Sequence, residues 1–257
     1  MEIREKVVAV LREANFRSYV RFKQKRRDVA LSVFAGADEA TLREVKHHIR
    51  SVRYAEVCPP FFRRSEDLFA SEILASAPDG SSRPREYQHF IRGACAVMLA
   101  FDGISTKEMP FIRIADIDFQ SRSVSIAGRT VSFSRMTAFI IEEYLAGPVL
   151  RRPHGMSYHL HEERCETYLF SASKDKPVCV SDILASIKEM REFTSAHGFY
   201  TDAYLAALNG DFVRARARIE RGEDREAVFA QVISQSVDPR DPVAFSETYD
   251  AFLALCP

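Results

Sequence analysis

The sequence has little glycine and cysteine, and neither residue falls in a recognisable functional motif. Its 10 glycines form no phosphate-cradling loop, and no Gly-x-Ser-x-Gly or kinase-like segment occurs. Its five cysteines are far apart and never form a Cys-x-x-Cys pair, so we interpret them as reduced thiols. These absences argue against a nucleotide-binding loop, a serine hydrolase of that type and a disulfide framework.

Long apolar runs are also missing from the sequence. No run approaches the roughly 18 residues that a membrane-spanning helix needs, and the N-terminal segment is charged throughout and lacks a signal-peptide core. The composition, 46% hydrophobic and 28% charged, is typical of a soluble globular protein. We therefore expect a cytoplasmic protein.

The chain has no excess charge of either sign, but its charges are unevenly placed. It holds 36 Lys and Arg against 36 Asp and Glu. Residues 1–64 contain 15 basic and 8 acidic residues, whereas the remaining 193 contain 21 basic and 28 acidic residues. This asymmetry indicates a basic module carried by an acidic body.

Apolar periodicity predicts a mostly helical chain with one small hairpin. Three helices are expected before Cys58-Pro59-Pro60, since a proline pair cannot continue a helix. We therefore predict two domains, a helical one over 1–58 and a second over 59–257. The third helix is predicted over residues 39–54 with Arg53 on its basic face, a later helix is predicted to end at Gly210, and the last is predicted over residues 242–255. The fold class is mostly α with a small β-hairpin or sheet, that is, α+β.

The most informative stretch of the chain lies between Leu99 and Leu145. An apolar helix ends at Asp102-Gly103, and Ser105 with Glu108 makes a capping box that opens a second, short helix. Asp116-Ile-Asp-Phe follows, and then two alternating runs joined by Ala127-Gly-Arg129 predict a hairpin.

This order of parts resembles the tyrosine recombinase (phage integrase) family. There a helix ends in a Thr-Gly-Leu-Arg turn, a short helix follows, and a Val-x-Asp-Ile-Asp-Phe segment leads into a small hairpin. The resemblance implies a helical DNA-binding domain followed by a recombinase-type domain. It places Ser105 where the family has an arginine that grips the scissile phosphate.

The other catalytic positions implied by the resemblance are also altered. Arg129 lies in a shortened hairpin turn where the family has a lysine, and arginine is a poor general acid. His197 matches the family's His-x-x-Arg histidine, but Tyr200 replaces its arginine. Tyr249 matches the nucleophile, although its spacing from Phe245 and Phe252 also predicts a packed helical stripe. We therefore expect that strand cleavage is lost.

DNA binding is the activity that such a chain retains, with double-stranded DNA as partner and neither cofactor nor metal. We predict a regulator or accessory factor of a phage or mobile element. The candidate DNA-binding residues are basic side chains of the N-terminal helices, together with Arg129 of the hairpin: Arg21, Lys23, Lys25, Arg26, Arg27, Arg43, Lys46, His47, Arg50 and Arg53.

Alternative interpretations remain open at this stage. The first is an active integrase in which Tyr249 works with Arg113, Arg129 or His197. The second is a protein–protein module, with a homo-oligomer formed through the helix at 241–255. We interpret Arg214, Arg216 and Arg218 as a solvated helix face. A polar loop, rather than a metal site, is our interpretation of His154, His159, His161 and Cys165.

Overall fold

A computed structural model describes residues 3–16, 19–57, 62–151, 159–161, 167–173, 176–236 and 240–256. Within these residues the chain is mostly helical with short antiparallel strands, which confirms the predicted fold class. Among the described helices, none is long and apolar enough to cross a membrane.

Helices and strands follow one another along the chain in a simple order. The helices are α1 Ile3–Glu13, α2 Tyr19–Val33, α3 Glu39–Ser51, α4 Tyr54–Val57, α5 Glu66–Leu74, α6 Pro84–Phe101, α7 Arg135–Ala146, α8 Val180–Ala196, α9 Ala203–Ile219, α10 Arg225–Gln235 and α11 Pro242–Leu255. The strands are β1 Ile117–Asp118, β2 Ser123–Ile126, β3 Arg129–Ser132, β4 Val149–Arg151, β5 His159–His161, β6 Ser171–Ser173 and β7 Lys176–Pro177.

The described chain forms two compact units. The first combines residues 1–62 with 224–234 and 239–257, and the second comprises 63–223 and 235–238. This grouping differs from the expected domains 1–58 and 59–257, because α11 packs on α2 and α4. The C-terminal residues also bring acids, so the first unit holds 15 basic and 13 acidic residues.

The third helix is shorter than its sequence pattern predicts. Its pattern extends to Tyr54, but α3 ends at Ser51 because Val52 is extended and buried. The amide of Arg53 donates to Glu56 Oε1 at 2.8 Å, and Tyr54 donates its hydroxyl to the carbonyl of Phe16 at 2.9 Å. The prediction that Arg53 lies on the face of α3 is therefore wrong, because Arg53 precedes the separate helix α4.

In the second unit, α6 is the central helix and packs against α7, α8 and α9. Glycine allows two of these close approaches. A Cβ on Gly93 would lie 2.4 Å from the carbonyl oxygen of Ser186 on α8, and one on Gly210 would lie 1.9 Å from that of Phe101. The sequence pattern ends a helix at Gly210, but α9 continues through it, because this residue is needed for packing rather than for termination.

The segment between α6 and α7 follows the predicted order with one change. The capping box of Ser105 forms, but two single turns of 3₁₀ helix follow, at Met109–Phe111 and Ile114–Asp116, rather than a short α-helix. The antiparallel sheet β1-β2-β3 comes next. Its β2–β3 turn has φ of 50° at Ala127 and 77° at Gly128, which suits a tight hairpin.

Candidate functional site

The C-terminal turn of α6 brings together side chains from five parts of the second unit. Gly103 has a φ of 93°, so the chain leaves the helix through a left-handed residue that favours glycine. Ser105 and Glu108 then bond reciprocally: the Glu108 amide donates to Ser105 Oγ at 3.3 Å, and the Ser105 amide donates to Glu108 Oε2 at 2.9 Å. Ser105, at the position where the resemblance implies an arginine, therefore caps the turn that ends at Glu108.

Arg129 reaches this turn from the hairpin. Its Nη2 donates to both carboxylate oxygens of Glu108 at 2.9 Å and to the carbonyl of Gly103 at 3.2 Å. Although burial opposes it, the amide of Ser105 and this guanidinium hold the pKa of Glu108 below its usual value. The charge of Arg129 is therefore matched by a carboxylate of the same turn.

A second arginine, which the sequence pattern assigned to a solvated face, arrives from α9. Arg214 donates through Nη1 to the carbonyl of Phe101 and through Nη2 to Asp211 Oδ1, both at 2.7 Å. This bond satisfies a carbonyl at the end of α6 that has no helical partner. The spacing Asp211-x-x-Arg214, directly after Gly210, is the sequence signal that could have identified Arg214 as a paired side chain rather than a solvated one.

Two carboxyl groups lie on either side of one hydroxyl beside the same turn. Thr137 Oγ1 is 2.7 Å from Asp102 Oδ2 and 3.2 Å from Glu66 Oε1. Burial raises the pKa of Asp102, and the neighbouring Glu66 carboxylate raises it further; burial likewise raises the pKa of Glu66. Since Thr137 has a single hydrogen to donate, the arrangement suits a pair that retains one proton.

The charges around the turn do not suit a phosphodiester. Four carboxyl groups lie here, from Glu66, Asp102, Glu108 and Asp211, and both guanidiniums that bond to the turn are already paired with one of them. Stabilisation of a pentacovalent phosphate requires preorganised donors aimed at its oxygens. At this turn the donors of Arg129 and Arg214 are aimed at carboxylates and carbonyls instead.

His197 and Tyr200 lie at the C-terminal end of α8, and each bonds to that helix. Nδ1 of the exposed His197 is 3.0 Å from the carbonyl oxygen of Phe193. Arg191 donates through Nη1 to the hydroxyl of Tyr200 at 3.0 Å. Between them, Phe199 is fully buried against Phe69. This segment therefore anchors the core with its apolar residue.

Tyr249 belongs to the first unit, on α11. It is 2% exposed, and its ring lies 5.0 Å from that of Phe229 and 5.8 Å from that of Phe252. Arg225 covers the ring at 5.4 Å and bonds to Asp250 at 2.7 Å. The side chain is thus packed on an aromatic stripe, the second of the two interpretations of its spacing.

The basic side chains of α2 and α3 differ in what they contact. Arg26 bonds to the carbonyl of Val52 at 3.3 Å and covers the ring of Phe22. Arg43 pairs with Glu39 at 3.3 Å, with both side chains largely exposed. Seven of the other candidate residues have exposed side chains: Arg21, Lys23, Lys25, Arg27, Lys46, His47 and Arg50.

The remaining predicted site residues lie neither at the turn after α6 nor among the basic side chains of α2 and α3. Arg113 is exposed, and its backbone forms a bridge with Tyr168. His154 and Cys165 fall outside the described residues, as do the side chains of His159 and His161. Within the part of the chain that the structure describes, no three metal-binding side chains come together.

Comparisons with known proteins give matches in structure alone. No family model matches the chain, and no curated protein matches its sequence. The backbone is similar to XerA recombinase, at 14% identity and a TM-score of 0.42 over 97% of this chain and 83% of that one. It is also similar to the Tn1549 transposon integrase in complex with circular intermediate DNA, at 12% identity and a TM-score of 0.42 over 90% of this chain and 79% of that one.

Proposed function

We propose that this protein binds duplex DNA through its N-terminal helices and does not cleave it. In this proposal the chain acts in the cytoplasm as a regulator or accessory factor of a phage or mobile element. The observation that carries the DNA-binding part is the row of exposed cations on α3 together with those on α2.

The row on α3 has the geometry of a phosphate-contacting surface. Lys46 and Arg50 are four residues apart and exposed, with His47 beside them, while Val45 and Ile49 face the core of the unit. From Lys46 to Arg50 no acidic residue intervenes. Such cations gain affinity for duplex DNA by releasing its condensed counterions.

Arg43 extends the same row toward the N-terminus of α3. Its pairing with Glu39 is exposed at both ends, where an ion pair contributes little to stability. A phosphate can therefore replace Glu39 at small cost. Arg26, by contrast, is held within the unit by Val52 and Phe22, and we assign it a supporting role.

The proposed lack of cleavage is supported by the turn at the end of α6. Ser105 is a cap, and Arg129 and Arg214 are paired with carboxylates. Each missing donor of this kind typically costs about 100- to 1000-fold in rate. A normal rate of strand exchange is incompatible with losses of that size.

A double substitution on α3 tests the DNA-binding proposal. For Lys46→Gln with Arg50→Gln, we expect duplex affinity to fall on the order of tenfold, because two phosphate contacts are lost. The slope of log affinity against log salt should become shallower by about 1.8. Fluorescence anisotropy with a labelled duplex over a salt series measures both quantities.

The matched control exchanges two exposed cations of the second unit, Lys188→Gln with Arg221→Gln, which removes the same charge. This control should bind as the unaltered chain does. Equal losses in the two double variants would contradict a specific role for α3, and a chain that binds no duplex at low salt would remove the proposal altogether.

A further inference from the structure

Helix α3 carries two adjacent histidines whose surroundings differ. The side chain of His48 is 21% exposed, and its Nε2 lies 3.5 Å from Glu44 Oε1, one turn earlier on the helix. His47 is exposed, and its ring contacts that of His48 edge to face, with 5.5 Å between the ring centres. Within the part of the chain that the structure describes, the ring nitrogens of His47 bond to no acceptor. Of the two, His48 has a carboxylate beside it that stabilises its protonated form.

The neighbours of His47 on the surface of α3 are mostly cations. Residues three and four positions apart lie next to each other on a helix, which places His47 between Arg43 and Arg50, and Lys46 precedes it in the chain. Glu44 is three positions away, but its carboxylate lies at His48. An anion against this row meets three side chains of fixed positive charge, and a protonated imidazole adds one more. A proton on His47 and a phosphate on the row therefore stabilise each other.

The helices that pack against α3 contribute charges that stay constant near neutral pH. These helices are α1 and α2, and their charged residues are Arg4, Glu5, Lys6, Arg12, Glu13, Arg21, Lys23, Lys25, Arg26, Arg27 and Asp28. Arg4 and Arg12 bond to Glu56. Arg26 bonds to the carbonyl of Val52. Between about pH 5 and pH 8, histidine is the side chain that ordinarily changes its charge. Neither α1 nor α2 contains a histidine, so the pH response of this surface comes from α3.

We propose that His47 makes duplex binding by the row on α3 dependent on pH, because its protonated imidazole is a further phosphate contact beside Lys46 and Arg50. This inference rests on the proposed binding of DNA through α3. Protonation adds one positive charge to the row, so the affinity for duplex DNA rises as the pH falls through the ordinary titration range of histidine. Above that range the gain is absent. His48 contributes little, since Glu44 balances its added charge.

Salt series at two pH values, about pH 5.5 and about pH 8, test this inference. Fluorescence anisotropy with a labelled duplex is followed for the unaltered chain, for His47→Gln and for the matched control His48→Gln. For the unaltered chain we expect an affinity about threefold higher at the lower pH, and a slope of log affinity against log salt that is steeper by about 0.9, the value for one phosphate contact. His47→Gln should behave at both pH values as the unaltered chain does at the higher one. His48→Gln should retain the pH response.

Proton uptake on binding gives an independent measurement. Calorimetric titration of the chain with duplex DNA at about pH 6.5, in two buffers of different ionisation enthalpy, should report a fraction of one proton that His47→Gln no longer takes up. Equal pH responses of the unaltered chain and His47→Gln overturn this inference and leave DNA binding through α3 intact. A response that is lost in His48→Gln and kept in His47→Gln also overturns it. Absence of duplex binding at both pH values overturns this inference and the proposed function together.

Discussion

Arginine has different roles in this chain according to the acceptors within its reach. Arg214 satisfies a helix-end carbonyl and pairs with Asp211, and Arg129 pairs with Glu108. Arg50 lies exposed on α3, whereas Arg92 is 1% exposed. The same guanidinium thus forms structural bonds at the turn, is a candidate phosphate contact on α3, or is a fully buried charge. Chemistry at the residue scale follows from local carboxylates rather than from residue type.

The raised pKa of Asp102 leads to a prediction at the same scale. A carboxyl whose pKa is raised by folding binds more protons in the folded chain, so its contribution to stability is lost as the pH rises through that raised value. We expect Asp102→Asn, which mimics the protonated form, to remove this loss. The difference is on the order of 1.4 kcal/mol for each unit by which the pKa is raised.

The measurement is the free energy of unfolding by urea between about pH 5 and pH 8, compared for the two chains. Carboxyls with lowered pKa values, such as Glu108, titrate below this range and do not contribute. The exposed Asp116→Asn is the control and should follow the unaltered chain. Parallel curves for Asp102→Asn and the unaltered chain would contradict the raised pKa of Asp102.

At the scale of elements, close contact between helices organises the second unit. α9 crosses the end of α6 at Gly210, and this crossing brings Arg214 to the carbonyl of Phe101. A glycine that would otherwise weaken a helix is therefore what allows the turn to be built. The position of a guanidinium at the site depends on the packing of two helices.

Gly210→Ala tests the importance of this crossing. Alanine has a higher helix propensity by about 1 kcal/mol, but its Cβ would lie 1.9 Å from the oxygen and 2.8 Å from the carbon of the Phe101 carbonyl. The backbone of α6 must move, which we expect to destabilise the chain by about 1–3 kcal/mol net of the propensity gain. Thermal or urea unfolding measures the effect.

The control for Gly210→Ala is Ala217→Gly at an exposed position of α9. It should cost about 1 kcal/mol from propensity alone. An alanine at 210 that leaves stability unchanged or raises it would show that the two helices do not require the close approach.

At the scale of the whole molecule, the residues that the recombinase resemblance singles out are divided between the two units. Ser105, Arg129, His197 and Tyr200 belong to the second unit, and Tyr249 belongs to the first. Exchange of the helix at 241–255 between chains stays a prediction. It would have to expose Phe245, Tyr249 and Phe252, which are at most 2% exposed within this chain.

Strand cleavage tests the whole molecule directly. With a nicked suicide duplex, which traps a covalent tyrosine–DNA intermediate, we expect no adduct on a denaturing gel, because the tyrosine is buried and the site guanidiniums are paired. Tyr249→Phe should bind the same duplex with the affinity of the unaltered chain. An adduct that this substitution abolishes would favour the active integrase instead.

Local signals in the sequence predict the structure correctly where it depends on a single helix, strand pair or turn. Periodicity and caps predict the mostly helical chain, the bounds Pro242–Leu255 of α11, the capping box of Ser105 and the hairpin, because each depends on neighbours within a few residues. The same signals mislead at Gly210 and Val52, where contacts with distant segments override local preference.

Contacts between distant segments account for the rest. The residues near Arg214 indicate its pairing with Asp211, but its bond to the carbonyl of Phe101 joins residues 113 positions apart along the chain. The pairing of Arg129 with Glu108 likewise joins residues 21 positions apart. The local sequence determines which helices and turns form, since these elements are stabilised by hydrogen bonds between residues close together in the chain. Burial and electrostatics, which give these arginines their roles, arise when the elements pack.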